Sequence, residues 1–430
     1  MLNCFIRVDA DLALEQARAA DAARTSGSSL GILHGAPLAH KDMYYRAGKN
    51  VTCGSKIRRD FVPDVTATVL QRLDAAGALH LGALNMSEFA NGPTGHNEHW
   101  GTCRNPWNTV HITGGSSTGS GSAVGGTLVA GSLGSGTGGS IRLPAGICGV
   151  YGLKPTQNRV SRHGVMGLSF SLDNVGPLAR TARDCARLTG VIAGADSLDT
   201  TCAQVPVDDY EADLDLGVKG LTITVPTNYY FDDIDPEIDA RMDEVIDTYR
   251  RMGATIRRVT LPHHDVLGGL GAIVSGAETC TIHDEWMRTC PDDYAPLIRA
   301  RMQPGYAFSA VEYLKALTMR AAIAKEVADV AFGGAHAMLT PVLRFPVPTH
   351  ASLDVKDAVD MPERLGAVNH CTRTLNYLGY PALSVPAGFS ASGLPVGFQL
   401  AAPPFAERML FRIAAAYERE YGPMPLPTLP

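Results

Sequence analysis

The chain has 430 residues, 45% of them apolar and 19% charged, which suits a folded protein with a large core and excludes a disordered one. Its net charge of −6 gives no overall attraction to nucleic acid or to an anionic membrane. Nine scattered cysteines, odd in number and without a CxxC pair, fit reduced thiols in a cytoplasmic protein better than a disulfide framework.

The opening MLNCFIRVDADLALE carries Arg7, Asp9 and Asp11 and lacks the apolar centre of a secretory leader. Helical spacing runs from Asp9 to Arg24 and stops near Ser26-Gly27. Gly35 to Asp42 reads as a turn, a short strand and a lysine, Lys41. A second amphipathic helix spans Val65 to Gly77, and Ala78 to Gly82 reads as a buried strand. Helix and strand alternate again around Val124–Ala130 and Ile147–Leu153, which predicts an α/β protein with a mixed or parallel sheet. Beyond about Thr200 acidic residues cluster, and a strand at Leu221–Val225 precedes a long helix from Pro236 to Met252. Ile273 to Val330 is mostly helical, with breaks at Pro291, Pro296 and Pro304. Ala337–Pro341 and Pro381–Pro386 read as core strands, and Ala406 to Glu420 as a closing helix. No internal repeat is present.

One stretch stands apart. Of the 28 residues from Thr113 to Ser140, eleven are glycine and seven are serine. A linker of that composition would be poor in apolar residues, yet Ala123-Val124 and Thr127–Ala130 lie at its centre. This pattern predicts a buried helix between two glycine loops that face one site, each loop with a serine, Ser116 and Ser140. No Asp, Glu, Lys or Arg occurs from Asn105 to Ile141, but glycine and serine are too frequent there for a membrane span.

Gly114-Gly115-Ser116-Ser117 and Thr137-Gly138-Gly139-Ser140-Ile141-Arg142-x-Pro144 resemble the signature of the amidase signature family of serine hydrolases. HGAPLAHKD, GALNMSEFANGPTG, GVYGLKPTQNRVSRHGV, SLDNVGPLAR, PALSVPAGF and GLPVGFQL extend the resemblance over roughly residues 30–200 and 335–420. It implies a single α/β domain over 1–430, with a central mixed sheet flanked by helices. Residues 30–200 would form the catalytic signature core, 205–330 a variable helical cap over the substrate, and 335–430 a return to the core. The chain begins where a typical member is already past its first helix or two, as a truncated reading frame or a short variant would.

By the same resemblance Ser140 is the nucleophile, Ser116 a bridging serine on a cis peptide bond, and Lys41 the base. The N–H groups of Thr137, Gly138, Gly139 and Ser140 would form the oxyanion hole. The spacings, 75 residues from Lys41 to Ser116 and 24 from Ser116 to Ser140, agree with the family's. A lysine at its ordinary pKa of about 10.4 is a poor base at pH 7, so burial must bring the neutral amine within reach. No Asp or Glu lies between Glu98 and Asp173, so the serine loops bring no local anion to hold Lys41 charged. One departure stands out: Ser135-Gly136 replaces the family's usual Thr-Asp, which either loosens the loop or leaves another carboxylate to take over.

Three other motifs share these letters. Gly115-Ser116-Ser117-Thr118-Gly119 matches the GxSxG elbow of an α/β-hydrolase esterase, with Ser117 as nucleophile and Asp265, His283, His336 or His370 as partners. Gly134-x-Gly136-x-x-Gly139 matches a dinucleotide fingerprint, but the acid expected about 20 residues on is missing. His96, Glu98 and His99 sit in a polar loop without a third metal ligand in view. Arg104, Arg142, Arg159 and Arg162 read as donors to loop carbonyls or the rim of the site.

The reading at this level is an amidase for a small hydrophobic or aryl amide, with carbamate or urethane cleavage as a variant, needing no metal or cofactor. Tyr229, Tyr230, Phe231, Trp286, Tyr306, Phe308 and Tyr313 are its candidate pocket walls. It expects a small-molecule substrate, no nucleic acid and no membrane, with a homodimer as the candidate assembly. The alternative is the A-type subunit of a tRNA-dependent amidotransferase, against which the missing basic face and the short N-terminus count.

Overall fold

Apolar runs separated by glycine and proline turns become, in the computed structural model, one mixed sheet of eleven strands; residues 2–353 and 361–429 are described. The strands are β1 (Phe5–Val8), β2 (Pro37–Lys41), β3 (Leu79–Leu84), β4 (Gly131–Ser135), β5 (Tyr151–Lys154) and β6 (Val175–Ala179). They continue with β7 (Thr222–Pro226), β8 (Thr255–Val259), β9 (Ala337–Pro341), β10 (Ala382–Phe389) and β11 (Pro395–Ala401). Their spatial order is β1-β3-β2-β4-β6-β5-β10-β11-β9-β7-β8. Strands β3, β2 and β4 run parallel, as do β9, β7 and β8, while the strands between them pair antiparallel. The expected α/β class with a mixed sheet is therefore what the chain forms.

The helices are α1 (Ala10–Thr25), α2 (Thr68–Ala75), α3 (Thr118–Gly125), α4 (Arg142–Cys148), α5 (Ala182–Ile192) and α6 (Pro236–Arg251). After them come α7 (His264–Thr289), α8 (Pro296–Met302), α9 (Ala310–Ala331), α10 (Met361–Val368), α11 (His370–Leu378) and α12 (Glu407–Tyr421). Helices α5, α6 and α12 bury apolar faces against the sheet, with Val245, Ile246, Leu410, Phe411 and Ala414 in one continuous core. Local chemistry sets the starts: Pro236 occupies the first turn of α6 and Asp235 accepts the Glu237 N–H at 2.9 Å, while Ser309 and Glu312 form a capping box on α9. Within 205–330, residues 222–259 add two strands and a helix to the sheet, whereas α7, α8 and α9 stack on one another and against α11. Among the described residues no helix is long and apolar enough to cross a membrane.

The glycine-rich stretch folds as a buried helix between two loops, but the helix is α3 alone. Thr127 takes a left-handed turn (φ 60°) and Leu128 is 42% exposed, so the apolar run 127–130 leads into β4 instead of extending the helix. All eight residues of α3 are buried. The reason for its composition is contact distance: a Cβ on Gly121 would lie 2.8 Å from Pro144 of α4, and one on Gly119 only 2.4 Å from the Cys4 carbonyl oxygen.

Candidate active site

Because β2 and β4 run parallel, their C-terminal residues, Lys41 and Ser135, finish at the same edge of the sheet. The two glycine loops leave from that edge, one before α3 and one between β4 and α4. Lys41 is 1% exposed; its Nζ donates to Ser116 Oγ at 2.6 Å and to Ser135 Oγ at 2.8 Å. The Gly115–Ser116 peptide is cis. Ser116 is wholly buried, and its carbonyl accepts the Ser87 N–H at 3.1 Å. Ser140, on the second loop, lines a cavity of about 410 Å³, and its carbonyl accepts the Ser117 N–H at 3.3 Å, tying the loops together.

Burial pulls the Lys41 amine down from 10.5 to about 7; a weaker opposing pull comes from the carboxylate of Asp173. The site is thus less free of anions than the sequence suggested. Asp173 is the first acid after the acid-free stretch, and antiparallel pairing of the start of β6 with the end of β4, Val175 opposite Ser135, brings it to the site. Its carboxylate accepts from Thr137 Oγ1 and from the N–H groups of Leu168 (2.7 Å) and Ser169 (2.9 Å). Burial raises its own pKa.

Among the described residues the N–H groups of Thr137, Gly138, Gly139 and Ser140 donate no backbone hydrogen bond, and Thr137, Gly138 and Ser140 line the cavity. The loop is held from its other side by α11. Thr372 Oγ1 donates to the Gly138 carbonyl (2.8 Å), and Asn376 Nδ2 donates to the Gly136 carbonyl (2.7 Å). Arg142, fully buried, donates to Gln399 Oε1, the Thr372 carbonyl and Asn376 Oδ1. Gly139 has φ 142°, and a Cβ there would stand 2.1 Å from Thr372 Oγ1. Gly136 offers no carboxylate of its own; the Asp173 carboxylate holds Thr137 Oγ1 next to it, and Thr372 and Asn376 brace the carbonyls of Gly138 and Gly136. Asp173 sits in the SLDNVGPLAR run without a role legible there, and Thr372 and Asn376 carry no local motif; only the fold shows what the three hold.

Several sequence readings are corrected here. Ser117 is wholly buried and its hydroxyl is bound to Ser135, donating to the carbonyl (3.3 Å) and accepting from the N–H (3.2 Å), so it cannot serve as a GxSxG nucleophile. His283 is engaged with Tyr294 and His370 with the Tyr229 carbonyl. His99 meets Glu88 rather than His96. Of the candidate pocket walls only Phe308 lines the cavity. Trp286 stacks on Phe89 at 5.3 Å, Tyr230 is wholly buried against Thr374, Tyr313 bonds to Glu278, and Tyr306 is half exposed. Instead the small residues of α7, among them Gly268, Gly271, Ala272 and Gly276, make the cavity's space. Arg104, Arg159 and Arg162 do donate to loop carbonyls.

The family model for Amidase matches residues 1–411. The chain is 39% identical to the A-type subunit of glutamyl-tRNA(Gln) amidotransferase from Roseiflexus sp. (strain RS-1), over 97% of this chain and 89% of that protein. The solved structure of the corresponding Thermotoga maritima protein superposes with TM-score 0.83 and 33% identity, covering 94% of this chain and 88% of that one. A structure described as a vestigial protein complex that reveals the origins of an s-triazine catabolic enzyme superposes with TM-score 0.92 and 32% identity, covering 99% and 93%. The relatives named for work on a charged tRNA overturn two expectations: the stand-alone hydrolase of small aryl or hydrophobic amides and carbamates, and the exclusion of nucleic acid.

Proposed function

The chain belongs to the amidase family and is an enzyme of carbon–nitrogen bonds, and from that premise we propose that it is the amide-cleaving subunit of an amidotransferase acting on charged tRNA. The observation that carries the chemistry is a buried lysine near neutrality, 2.6 Å from Ser116 Oγ, beside a serine with open backbone donors. In this reading Ser140 Oγ attacks the amide carbonyl and its proton passes through Ser116 to Lys41. The neutral amine keeps its hydrogen bond to Ser135 Oγ while its lone pair takes that proton. The carbonyl oxygen, now negative, accepts from the N–H groups of Thr137, Gly138, Gly139 and Ser140, which need no reorganisation to receive it. Lys41 then returns a proton through Ser116 to the departing nitrogen, since an amine leaves poorly as an anion. Ammonia departs, Ser140 holds the acyl group as an ester, and water attacks it by the same relay.

The whole of 1–430 acts as one amidase signature domain: 30–200 carries the chemistry, 205–330 contributes the substrate region through α7 and α8, and 335–430 supplies the α11 brace. The tRNA and the acceptor reaction belong to partner subunits, in keeping with the relatives' designation as one subunit and with the structural neighbour's occurrence in a protein complex. Amidation of charged tRNA is cytoplasmic work, and in this reading the chain is cytoplasmic too. The test supplies the purified chain with an amide donor, with and without partner subunits and glutamyl-tRNA, and follows ammonia and amidated tRNA. Ser140→Ala must abolish both products. Ammonia release without tRNA amidation in the complete mixture would refute the acceptor half; an active Ser140→Ala variant would refute the whole.

A further inference from the structure

Glu278, in the middle of α7, is wholly buried, and its carboxylate is met by uncharged donors. It accepts from Ser169 Oγ, from the N–H (2.9 Å) and Oγ of Ser171, and from the Tyr313 hydroxyl of α9 (2.9 Å). Three of these four donors belong to one turn, 168–173. A buried carboxylate is costly unless hydrogen bonds meet it, so the turn and the carboxylate fix each other in place. The same turn is closed from within by Asp173. One oxygen of Asp173 accepts the N–H groups of Leu168 and Ser169, and the other accepts from Thr137 Oγ1 in the 137–140 loop. Two further bonds fasten the turn to the cap. Thr279, next to Glu278 on α7, donates to the Leu168 carbonyl (3.0 Å), and Arg320 of α9 donates to the Ser171 carbonyl (3.0 Å). A continuous chain of hydrogen bonds thus runs from α7 through the turn and Asp173 to Thr137.

The charges about this chain of bonds come from several elements. Lys41, on β2, feels the carboxylate of Asp173 and the thiol of Cys53, both acting against its burial. Asp173 in turn feels the Arg162 guanidinium. Glu278 faces Tyr313 and Arg320 of α9. Glu278 is not among the charges that act on Lys41, so it reaches the amine by where it holds Asp173. We propose that Glu278 is a positioning residue of the catalytic centre: it holds the 168–173 turn so that Asp173 stays against Thr137 and within reach of Lys41. The cap helix then sets the geometry of the chemistry as well as the shape of the cavity. The proposal rests on the reading of Lys41 as the base of the relay. The tie between Glu278 and the turn does not.

The experiment uses the full chain and two readouts: the pH profile of fluorophosphonate labelling at Ser140, and hydrogen exchange of the amides in 168–171. Glu278→Gln keeps the shape but replaces an acceptor oxygen by an NH2 group, which repels the donors of the turn. Exchange at 168–171 should quicken by at least about tenfold. Labelling at pH 8 should slow by roughly 10- to 100-fold as the 137–140 loop loses its support. The labelling limb should move to lower pH by about 0.5 to 1 unit, because Asp173 no longer sits where it opposes the burial of Lys41. A general loss of stability would not move that limb. Combined with Asp173→Asn, the Glu278→Gln change should leave the limb where Asp173→Asn alone puts it, since both act by one route. A limb that stays in place or moves to higher pH overturns the proposal, as do unchanged exchange at 168–171 and shifts that add in the double variant. If Glu278→Gln does not fold, Ser169→Ala with Ser171→Ala removes two donors from the side of the turn and must change both readouts in the same directions. A wild-type profile without a limb near pH 7, or a limb that survives Lys41→Met, refutes the relay instead. The exchange result then decides the tie by itself.

Discussion

In the proposed relay the Lys41 amine sets the pH dependence of the first chemical step, and its environment allows the size to be worked out. At its ordinary pKa of 10.5, about one amine in 3,000 is neutral at pH 7; at about 7, half are. Between pH 6 and pH 8 the neutral fraction grows from about a tenth to about nine-tenths, so the rate of Ser140 acylation should rise about tenfold and then level. An unshifted lysine would give about a hundredfold rise over the same interval, with no plateau. The assay is the second-order rate of fluorophosphonate labelling of Ser140 from about pH 5.5 to 9.5, which needs no knowledge of the natural substrate. Lys41→Met keeps the bulk and removes the amine; it should lower the rate at pH 8 by about 10²- to 10⁴-fold and flatten the profile. A profile that keeps its rise in Lys41→Met would refute the reasoning, because another group would then be the base. So would a rise centred near pH 10, which would mean that burial does not govern the amine. Linkage runs in the same direction. Lys41 binds its proton less tightly folded than unfolded, so its contribution to stability increases with pH from about 7 towards 10.5.

Asp173→Asn removes the carboxylate that opposes the burial of Lys41, so the labelling limb should move to lower pH by up to about one unit, and thermal unfolding should report a loss of about 1–3 kcal/mol from the charged acceptor of the 168–169 turn. Movement of the limb to higher pH would contradict the Coulomb assignment. Gly139→Ala would press a methyl against Thr372, and labelling should fall at least about 100-fold as the donors of the 137–140 loop are displaced; near wild-type labelling would remove that loop from oxyanion stabilisation. Gly136→Asp and Gly136→Asn differ in charge alone, and a Cβ there would lie 3.7 Å from Cγ of the fully buried Lys154, whose pKa burial drives far down. With the Lys154 amine neutral and no cation to meet a buried carboxylate, the Asp variant should be less stable than the Asn variant by about 1–3 kcal/mol in urea titrations at pH 8; equal midpoints would mean that the amine regains its proton beside the introduced carboxylate.

What could be read along the chain was whatever its local chemistry forces. Eleven glycines and seven serines around a short apolar run can pack only as close loops about a small-residue helix, and that arrangement presents Ser116 and Ser140 without reference to the rest of the fold. The alternation of helix and strand, the capped start at Asp235-Pro236 and the proline breaks near 291, 296 and 304 are local in the same sense. The end of the run 127–130 was not, because whether an apolar segment coils or extends depends on what it packs against, and here β2 and β6 take up β4 as a strand. The parallel pairing of β2 with β4 placed Lys41 under Ser116 and Ser135 and buried it; this burial, not the identity of the residue, brings its pKa down to about 7. Asp173, just before β6, and Thr372 and Asn376, one turn apart on α11, converge on the 136–138 loop from distant parts of the chain. No spacing rule connects Asp173 with α11, so what these residues hold could be decided only once the sheet had closed the distance between them.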